Sequence, residues 1–402
     1  MPVVLTMLSG TGGGRVDFAR GVAYMFCLSR TILSPELFLM EYFSAYSHSA
    51  LPYRHVAVFR FSALGDVAMT VPVVYEVCRA YPGIRFTLFT KKTVAPLFVY
   101  PPDNLTVFPV DTKGRYRGFA GLWRLYRDMK SQGIDAIADL HNVLRSRVVG
   151  FFFVISGVKR AILDKGRAAK RRLVARKKPL PIQPLPTTFD RYRQVFARLG
   201  FETPKTFRSV FDDRHLPLPL PEGIESRREG EFWIGVAPFA KHEGKIYPLD
   251  RSESLVARLS QREDCRVFLM GGGGEEADLL GGWAEKYPRV VSLAGKRLGF
   301  AVELSMMSRM TLVVSMDSAN MHLASMAGTP VVSVWGQTHP YAGFLGWRQS
   351  KENIIQLSDL SCRPCSIFGN KPCYRGDYAC MQELSVERIW NRVEEILRRE
   401  KK

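Results

Sequence analysis

The chain has 402 residues, 46% of them hydrophobic, enough to bury two cores of ordinary size. Lys and Arg number 57 against 38 acidic residues, a net charge of +19. A chain this basic collects anions, but no recognisable nucleic-acid module accompanies the charge, so nucleic acid is excluded as the expected partner. Residues 1–52 read as an N-terminal extension outside the domain pattern, from an upstream start codon or a loosely packed arm. Within it Val22 to Tyr46 is apolar, yet Arg30, Glu36 and Glu41 interrupt the run and Pro35 would kink it. A spanning helix needs ~20 predominantly apolar residues, and a secretory signal needs a short apolar core before a small-residue cleavage site. Neither pattern is met.

The first buried strand is predicted over 55–60, where Val56-Ala57-Val58-Phe59 is too continuous for a sheet with one wet face. It hands over through Phe61-Ser62-Ala63-Leu64-Gly65-Asp66 to a helix predicted from Val67 through Ala80, with Pro72 in its first turns. Gly65 lets backbone approach a ligand, and Asp66 stands at the helix mouth either as an N-cap or as a functional carboxylate. Further strands are predicted at 85–90, 105–110 and 134–140, separated by helices such as Gly121 to Lys130, which implies a parallel sheet. Between Lys159 and Lys178 lies a dense run of Lys and Arg, read either as a solvated face or as an anion-collecting surface. The proline-rich stretch 179–186 excludes regular helix or central strand, and Thr187 to Leu199 reads as a helix closing a first domain of residues 53–215. Pro217-Leu218-Pro219-Leu220-Pro221 reads as the connection to a second domain of residues 216–402.

Strands follow at 232–237, 266–270, 311–315 and 330–335. The loop after the first holds Lys241, His242 and Lys245. Gly271-Gly272-Gly273-Gly274 precedes a helix starting near Glu275, but Glu276 stands where a dinucleotide-binding fingerprint needs a small residue, which argues against nicotinamide or flavin. Taken alone, Glu275 is a first-turn acid worth ~0.3–1 kcal/mol to the helix. Near the end, Asp317-Ser318-Ala319-Asn320-Met321-His322 links a strand to a short helix. Cys362, Cys365, Cys373 and Cys380 have a spacing compatible with a structural zinc, although the last interval is irregular; the cluster is expected to serve the C-terminal tail and not catalysis. A final helix carries Val386, Ile389, Trp390, Val393, Ile396 and Leu397 on one face.

From about His55 onward the sequence resembles glycosyltransferase family nine, the ADP-heptose:lipopolysaccharide heptosyltransferases. The resemblance rests on Ser62-Ala63-Leu64-Gly65-Asp66, on Lys245-Ile246-Tyr247-Pro248, and on Asp317-Ser318-Ala319-Asn320-Met321-His322-Leu323-Ala324-Ser325 followed by Gly328-Thr329-Pro330. Ala319 departs from the family's usual glycine, and its methyl group would crowd a phosphate held on that turn. The resemblance implies an α/β GT-B fold of two Rossmann-like domains facing a central cleft, with the last helix packing back across the domains. It implies ADP-heptose as donor and lipid A–Kdo or a partial lipopolysaccharide core as acceptor. The expected place of work is cytoplasmic, peripheral to the inner membrane surface. Under it, Asp66 is the general base of an inverting transfer, and Lys245, Glu275, Asp317, Ser318, Ala319 and His322 bind the donor, Lys245 at the diphosphate and Glu275 at the ribose. Ser62, Gly65, Lys165 and Arg167 are the acceptor-side candidates. No Asp-x-Asp pair occurs in the chain, so no catalytic metal or other cofactor is expected and the departing diphosphate must be neutralised by cationic side chains. A different nucleotide-sugar and a nonenzymatic nucleotide- or glycan-binding role stay open.

Overall fold

The computed structural model describes residues 51–401 apart from 179, 213 and 214; residues 1–50 of the N-terminal extension, with its apolar stretch, lie outside them. The first half runs β1 (His55–Phe59), α1 (Leu64–Ala68), α2 (Thr70–Ala80), β2 (Arg85–Lys91), β3 (Leu105–Val110), α3 (Gly118–Lys130), β4 (Ala136–Asp139), α4 (Leu144–Ile155), β5 (Lys159–Ile162), α5 (Arg167–Leu173) and α6 (Thr188–Ala197). All five residues of β1 are buried, because this strand is the middle of a five-stranded sheet in the order β3-β2-β1-β4-β5, with every pair parallel. Helices cover it on both faces. The predicted helix from Val67 is corrected in two respects: it begins at Leu64, and it is interrupted at Met69 before α2. Pro72 is the third residue of α2, where the backbone N–H would have no intrahelical acceptor anyway.

The basic run is more ordered than a solvated face. It contains edge strand β5 and helix α5, neither of which its charge pattern announced. The helix expected over Thr187 to Leu199 is α6, and Thr187 is its cap: its hydroxyl accepts from Asp190 N at 3.0 Å, and the Asp190 carboxylate accepts from Thr187 N at 3.1 Å. α6 packs on α2, β4 and β5 and so belongs to the first sheet.

The second half runs β6 (Phe232–Ala237), α7 (Leu249–Ser260), β7 (Cys265–Leu269), α8 (Glu275–Lys286), β8 (Val290–Ser292), α9 (Phe300–Ser308), β9 (Leu312–Met316), α10 (Ala319–Met326), β10 (Val331–Val334), β11 (Ile354–Ile355), α11 (Ala379–Gln382) and α12 (Val386–Glu400). Its six strands lie in the order β11-β10-β9-β6-β7-β8, all parallel. Strands β8 and β11 have three and two residues at the sheet edges, too short to show periodicity in sequence. The apolar stripe of α12 enters the core of this half through Ile389, Val393 and Leu397, packing on α7 and β10. The expectation that this helix packs back across the domains is therefore corrected.

Both sheets have the doubly wound order, in which the chain turns from one side of its first strand to the other. In such sheets ligands bind outside the carboxyl ends of the strands at that reversal. The reversal lies between β1 and β4 in one half and between β6 and β9 in the other. Helices α1 and α10, which follow β1 and β9, touch across the cleft. Gly65 makes this approach practicable: a Cβ there would lie 3.0 Å from His322 Cδ2 and 3.6 Å from Ala319 Cα.

Candidate active site

The end of β1 delivers Arg60, Ser62 and Asp66 to a cavity of about 560 Å³, within the usual size of a small-molecule site. Opposite them stand His141 after β4, Lys165 after β5, Arg167, Lys170 and Arg171 of α5, and Thr188, Arg191 and Tyr192 of α6. Asp66 is the single carboxylate among these lining residues. It is not an N-cap: that position belongs to Ala63, and the Asp66 carboxylate instead meets Arg60 Nη2 at 2.7 Å. Arg60 is buried, is anchored by donating from Nη1 to Leu140 O at 2.8 Å, and lies over the Tyr192 ring. Tyr192 in turn donates to the backbone O of Asp66 at 3.2 Å. Arg60 thereby holds the carboxylate and Tyr192 the backbone of the same residue, while the side chain stays 37% exposed.

Burial sets the character of the neighbouring bases. His141 is driven down to about 3, chiefly by desolvation and then by Arg60, so it is neutral, with Nδ1 accepting from Phe61 N at 3.2 Å. The Lys170 ammonium is lowered to about 8 by burial and then by Arg191, and Lys165 is lowered by burial and then by Arg167. Arg160, by contrast, is not free to meet a ligand. It closes a buried pair with Asp139 at 2.6 Å, and Asp139 also accepts from the backbone N of His141 and Asn142, so this pair shapes the loop that presents His141.

A second cavity, of about 370 Å³, opens on the other side of Asp66. It is lined by Gly65, by Lys241 and Lys245 after β6, by Glu276 of α8, and by Asp317, Ser318, Ala319, Asn320 and His322 at the turn from β9 into α10. Lys245 Nζ pairs with the buried Asp317 carboxylate at 3.1 Å. Ser318 is the N-cap of α10 but makes no side-chain cap bond, so the first-turn backbone N–H groups, beside a cavity lined by Ser318, Ala319 and Asn320, are not satisfied by its hydroxyl. His322 is buried and pushed down to about 4 by desolvation, and its Nδ1 has no hydrogen-bond partner. A third cavity, also about 370 Å³, continues past Asn320 to Gly271, Gly272, Gly273, Leu293, Arg297 and Glu303; burial raises the Glu303 carboxyl.

Residues 122–371, more than half of the chain, match glycosyltransferase family 9 (heptosyltransferase). The chain is a family 9 glycosyltransferase. It is similar to lipopolysaccharide heptosyltransferase 1 of Pseudomonas aeruginosa, with 26% identity over 322 residues that cover 77% of this chain and 85% of that one. A family 9 glycosyl transferase from Veillonella parvula superposes with a TM-score of 0.64 at 19% identity, covering 86% of this chain and 97% of that one. The Escherichia coli heptosyltransferase WaaC with ADP gives 0.60 at 19% identity, covering 85% and 99%. These likenesses agree with the GT-B fold of two Rossmann-like halves around a cleft.

Most of the expected site residues of this glycosyltransferase converge, with two reassignments. Glu275 is exposed at the start of α8 and lines none of the three cavities; Glu276 lines the second, its Oε2 accepting from Gly272 N at 2.6 Å. Gly65 was expected on the acceptor side, but it lines the cavity of Lys245 and serves the contact between α1 and α10. Ser62, Lys165 and Arg167 line the first cavity, while Lys245, Asp317, Ser318, Ala319 and His322 line the second.

The cysteine-rich segment does more than end the chain. Buried Arg363 donates to the carbonyls of Trp335, Gly336 and Thr338, tying the segment to the end of β10. From that anchor Ile367 and Phe368 reach the rims of the first two cavities, and Gly369 lies so close to the Lys245 stem that a Cβ would overlap it. Cys380 is buried in the second core, the six described cysteines are free thiols, and no group of three or more His, Cys, Asp or Glu among the described residues is arranged to hold a metal ion. The spacing that fits zinc in sequence is thus not realised as a ligand set among them.

Proposed function

We propose that this glycosyltransferase moves heptose from ADP-heptose to a hydroxyl of the lipopolysaccharide inner core, with inversion at the anomeric carbon and Asp66 as general base. The observation that carries the reading is the position of Asp66, the one carboxylate shared by a strongly cationic cavity and a cavity built on Lys245 and the α10 N-terminus. The cationic cavity suits an acceptor bearing phosphates and carboxylates, such as lipid A–Kdo or a partial core. The second and third cavities together suit an adenosine diphosphate. In this reading the diphosphate replaces Asp317 as the partner of Lys245 and takes backbone N–H groups from α10, and the nucleoside extends past Glu276 toward Glu303.

Asp66 takes the proton of the acceptor hydroxyl as its oxygen forms a bond to the anomeric carbon. The bond from that carbon to the β-phosphate oxygen breaks, and ADP departs with the electron pair. Lys245 and the helix end stabilise the charge that develops on it. Arg60 keeps the base in place, and neutral His141 lies too deep in a cationic field to compete for the proton. Supply of a lipid acceptor also requires peripheral contact with a membrane surface. No helix among the described residues is long and apolar enough to cross one.

The test is turnover of ADP-heptose with an acyl-free Kdo-bearing acceptor by purified full-length protein, with the product's linkage read by NMR. One added heptose of inverted configuration is the expected result. Transfer from another nucleotide-sugar in preference to ADP-heptose would overturn the donor assignment, and mass spectrometry of lipopolysaccharide from a deletion strain would name the acceptor step by its truncation point.

A further inference from the structure

Helix α4, Leu144–Ile155, is apolar on both sides, although a helix of that composition is ordinarily buried all round. Ser146, Val149, Gly150 and Phe153 face the core. Leu144, Val148, Phe151 and Ile155 fall at successive helical spacings on the opposite face, and Leu144, Phe151 and Ile155 are 77%, 58% and 69% exposed. The stripe does not end with the helix. Phe152 stacks at its edge with Phe119 and Trp123 of α3, which are themselves 69% and 45% exposed. A contiguous aromatic and aliphatic face of this kind marks an interaction surface.

Its rim says what kind. Arg117, Arg124, Arg127, Lys130 and Arg147 are exposed around it and have no ion-pair partner among the described residues. The one acid of α3, Asp128, is already engaged by Arg115 at 2.8 Å. An apolar face set in unpaired cations matches an anionic bilayer leaflet, where side chains enter the acyl boundary and Lys and Arg meet the headgroups. A soluble protein partner would leave so one-sided a rim largely unused. The location adds to this. The stripe begins at Leu144, three residues beyond His141 of the acceptor cavity, and the Arg145 guanidinium lies 5.9 Å from the Phe61 ring, next to Ser62 of that cavity.

We propose that the exposed face of α3 and α4 docks the enzyme on an anionic membrane leaflet, so that the acceptor cavity opens at the surface from which a lipid-linked sugar is drawn. This rests on the reading of the first cavity as the acceptor site, and it names the surface that meets the bilayer. Docked in this way, a lipid acceptor keeps its acyl chains in the leaflet while its polar head reaches Asp66.

Full-length protein and the double variant Phe151→Ser/Ile155→Ser are sedimented with vesicles of phosphatidylglycerol and phosphatidylethanolamine, and with vesicles of phosphatidylcholine alone. Turnover of the acyl-free acceptor is measured beside them. The parent is expected to bind the anionic vesicles, and the variant to bind them at least tenfold more weakly with an unchanged melting temperature and unchanged turnover of the soluble acceptor. Arg124→Ala/Arg127→Ala is expected to erase the preference for anionic over neutral vesicles. Equal vesicle binding by Phe151→Ser/Ile155→Ser would overturn the proposal and assign docking to another part of the chain, residues 1–50 included. A parent that ignores vesicles but forms a dimer lost in that variant would overturn it in favour of a second copy of the chain. Loss of soluble turnover in the parent itself would instead sink the transfer reading and leave the docking result standing.

Discussion

The two cavities that meet at Asp66 handle charge in opposite ways. On the β6/β9 side the principal charges are matched: Lys245 is paired with Asp317, and a ligand's anion must take over a partner that is already present. On the β1/β4 side cations from β1, α5 and α6 outnumber the single carboxylate, which is itself held by Arg60. A site with balanced charge suits an anion of fixed size and geometry, such as a diphosphate, which displaces one counter-ion. An excess of unmatched cations suits a larger acceptor with several separated negative groups. The same doubly wound topology underlies both cavities; the side chains at the strand ends set the difference in charge between them.

The largest effect is expected at the residue common to both. Asp66→Asn keeps the shape and hydrogen-bonding reach of the carboxylate but cannot accept the proton, so turnover is expected to fall by ~10²-fold or more with ADP affinity nearly unchanged. Next comes Lys245→Ala. It removes a charge-assisted contact of ~1.5–3 kcal/mol and leaves Asp317 unpaired, facing the diphosphate, so donor KM should rise at least tenfold with acceptor KM unmoved. Chelators should leave the rate intact if Lys245 supplies the neutralising charge, and a strict Mg²⁺ or Mn²⁺ requirement would break that account.

On the cationic side, Lys165→Ala/Arg167→Ala should raise acceptor KM several-fold, with the difference shrinking as salt screens interactions beyond ~8 Å. Lys170 adds a pH signature. It faces Arg191, Asp66, Arg60 and Lys165 and lies 4.2 Å from the Phe344 ring. Because its ammonium is lowered to about 8, acceptor affinity should weaken as pH rises through that value, and Lys170→Gln should flatten the profile. Stability runs the other way. The unfolded lysine keeps its proton up to its ordinary 10.5, so the folded protein's penalty for protonating this group fades between about 8 and 10.5. The smallest effect separates neighbouring glutamates: Glu276→Gln should weaken donor binding a few-fold and Glu275→Gln should not change it.

Much of this was legible in the chain. The buried run Val56–Phe59 identified a parallel strand, and the motif residues Asp66, Lys245 and Asp317 all reach the cleft, because a strand end at a topological reversal leaves its next residues little choice of direction. Sequence does not show which of two neighbouring side chains faces the cleft. Glu275 and Glu276 both open α8, but only the second turns back to the glycine loop. Arg60 was passed over because an arginine one position beyond a strand resembles any surface arginine; its place at the end of the central strand was the usable signal. Nothing local announces Ile367 and Phe368, whose approach to the cleft depends on Arg363 clamping carbonyls about thirty positions earlier in the chain. Gly65 was read as a point where backbone approaches a ligand; the close approach the structure shows there is to α10.

The most direct test of the proposed division between donor and acceptor cavities is a single kinetic comparison in which donor and acceptor KM are both measured for Lys245→Ala and for Lys165→Ala/Arg167→Ala. The account predicts that the first moves only the donor constant and the second only the acceptor constant. A rise in acceptor KM with unchanged donor KM in Lys245→Ala, or the reverse in the α5-side variant, would contradict it.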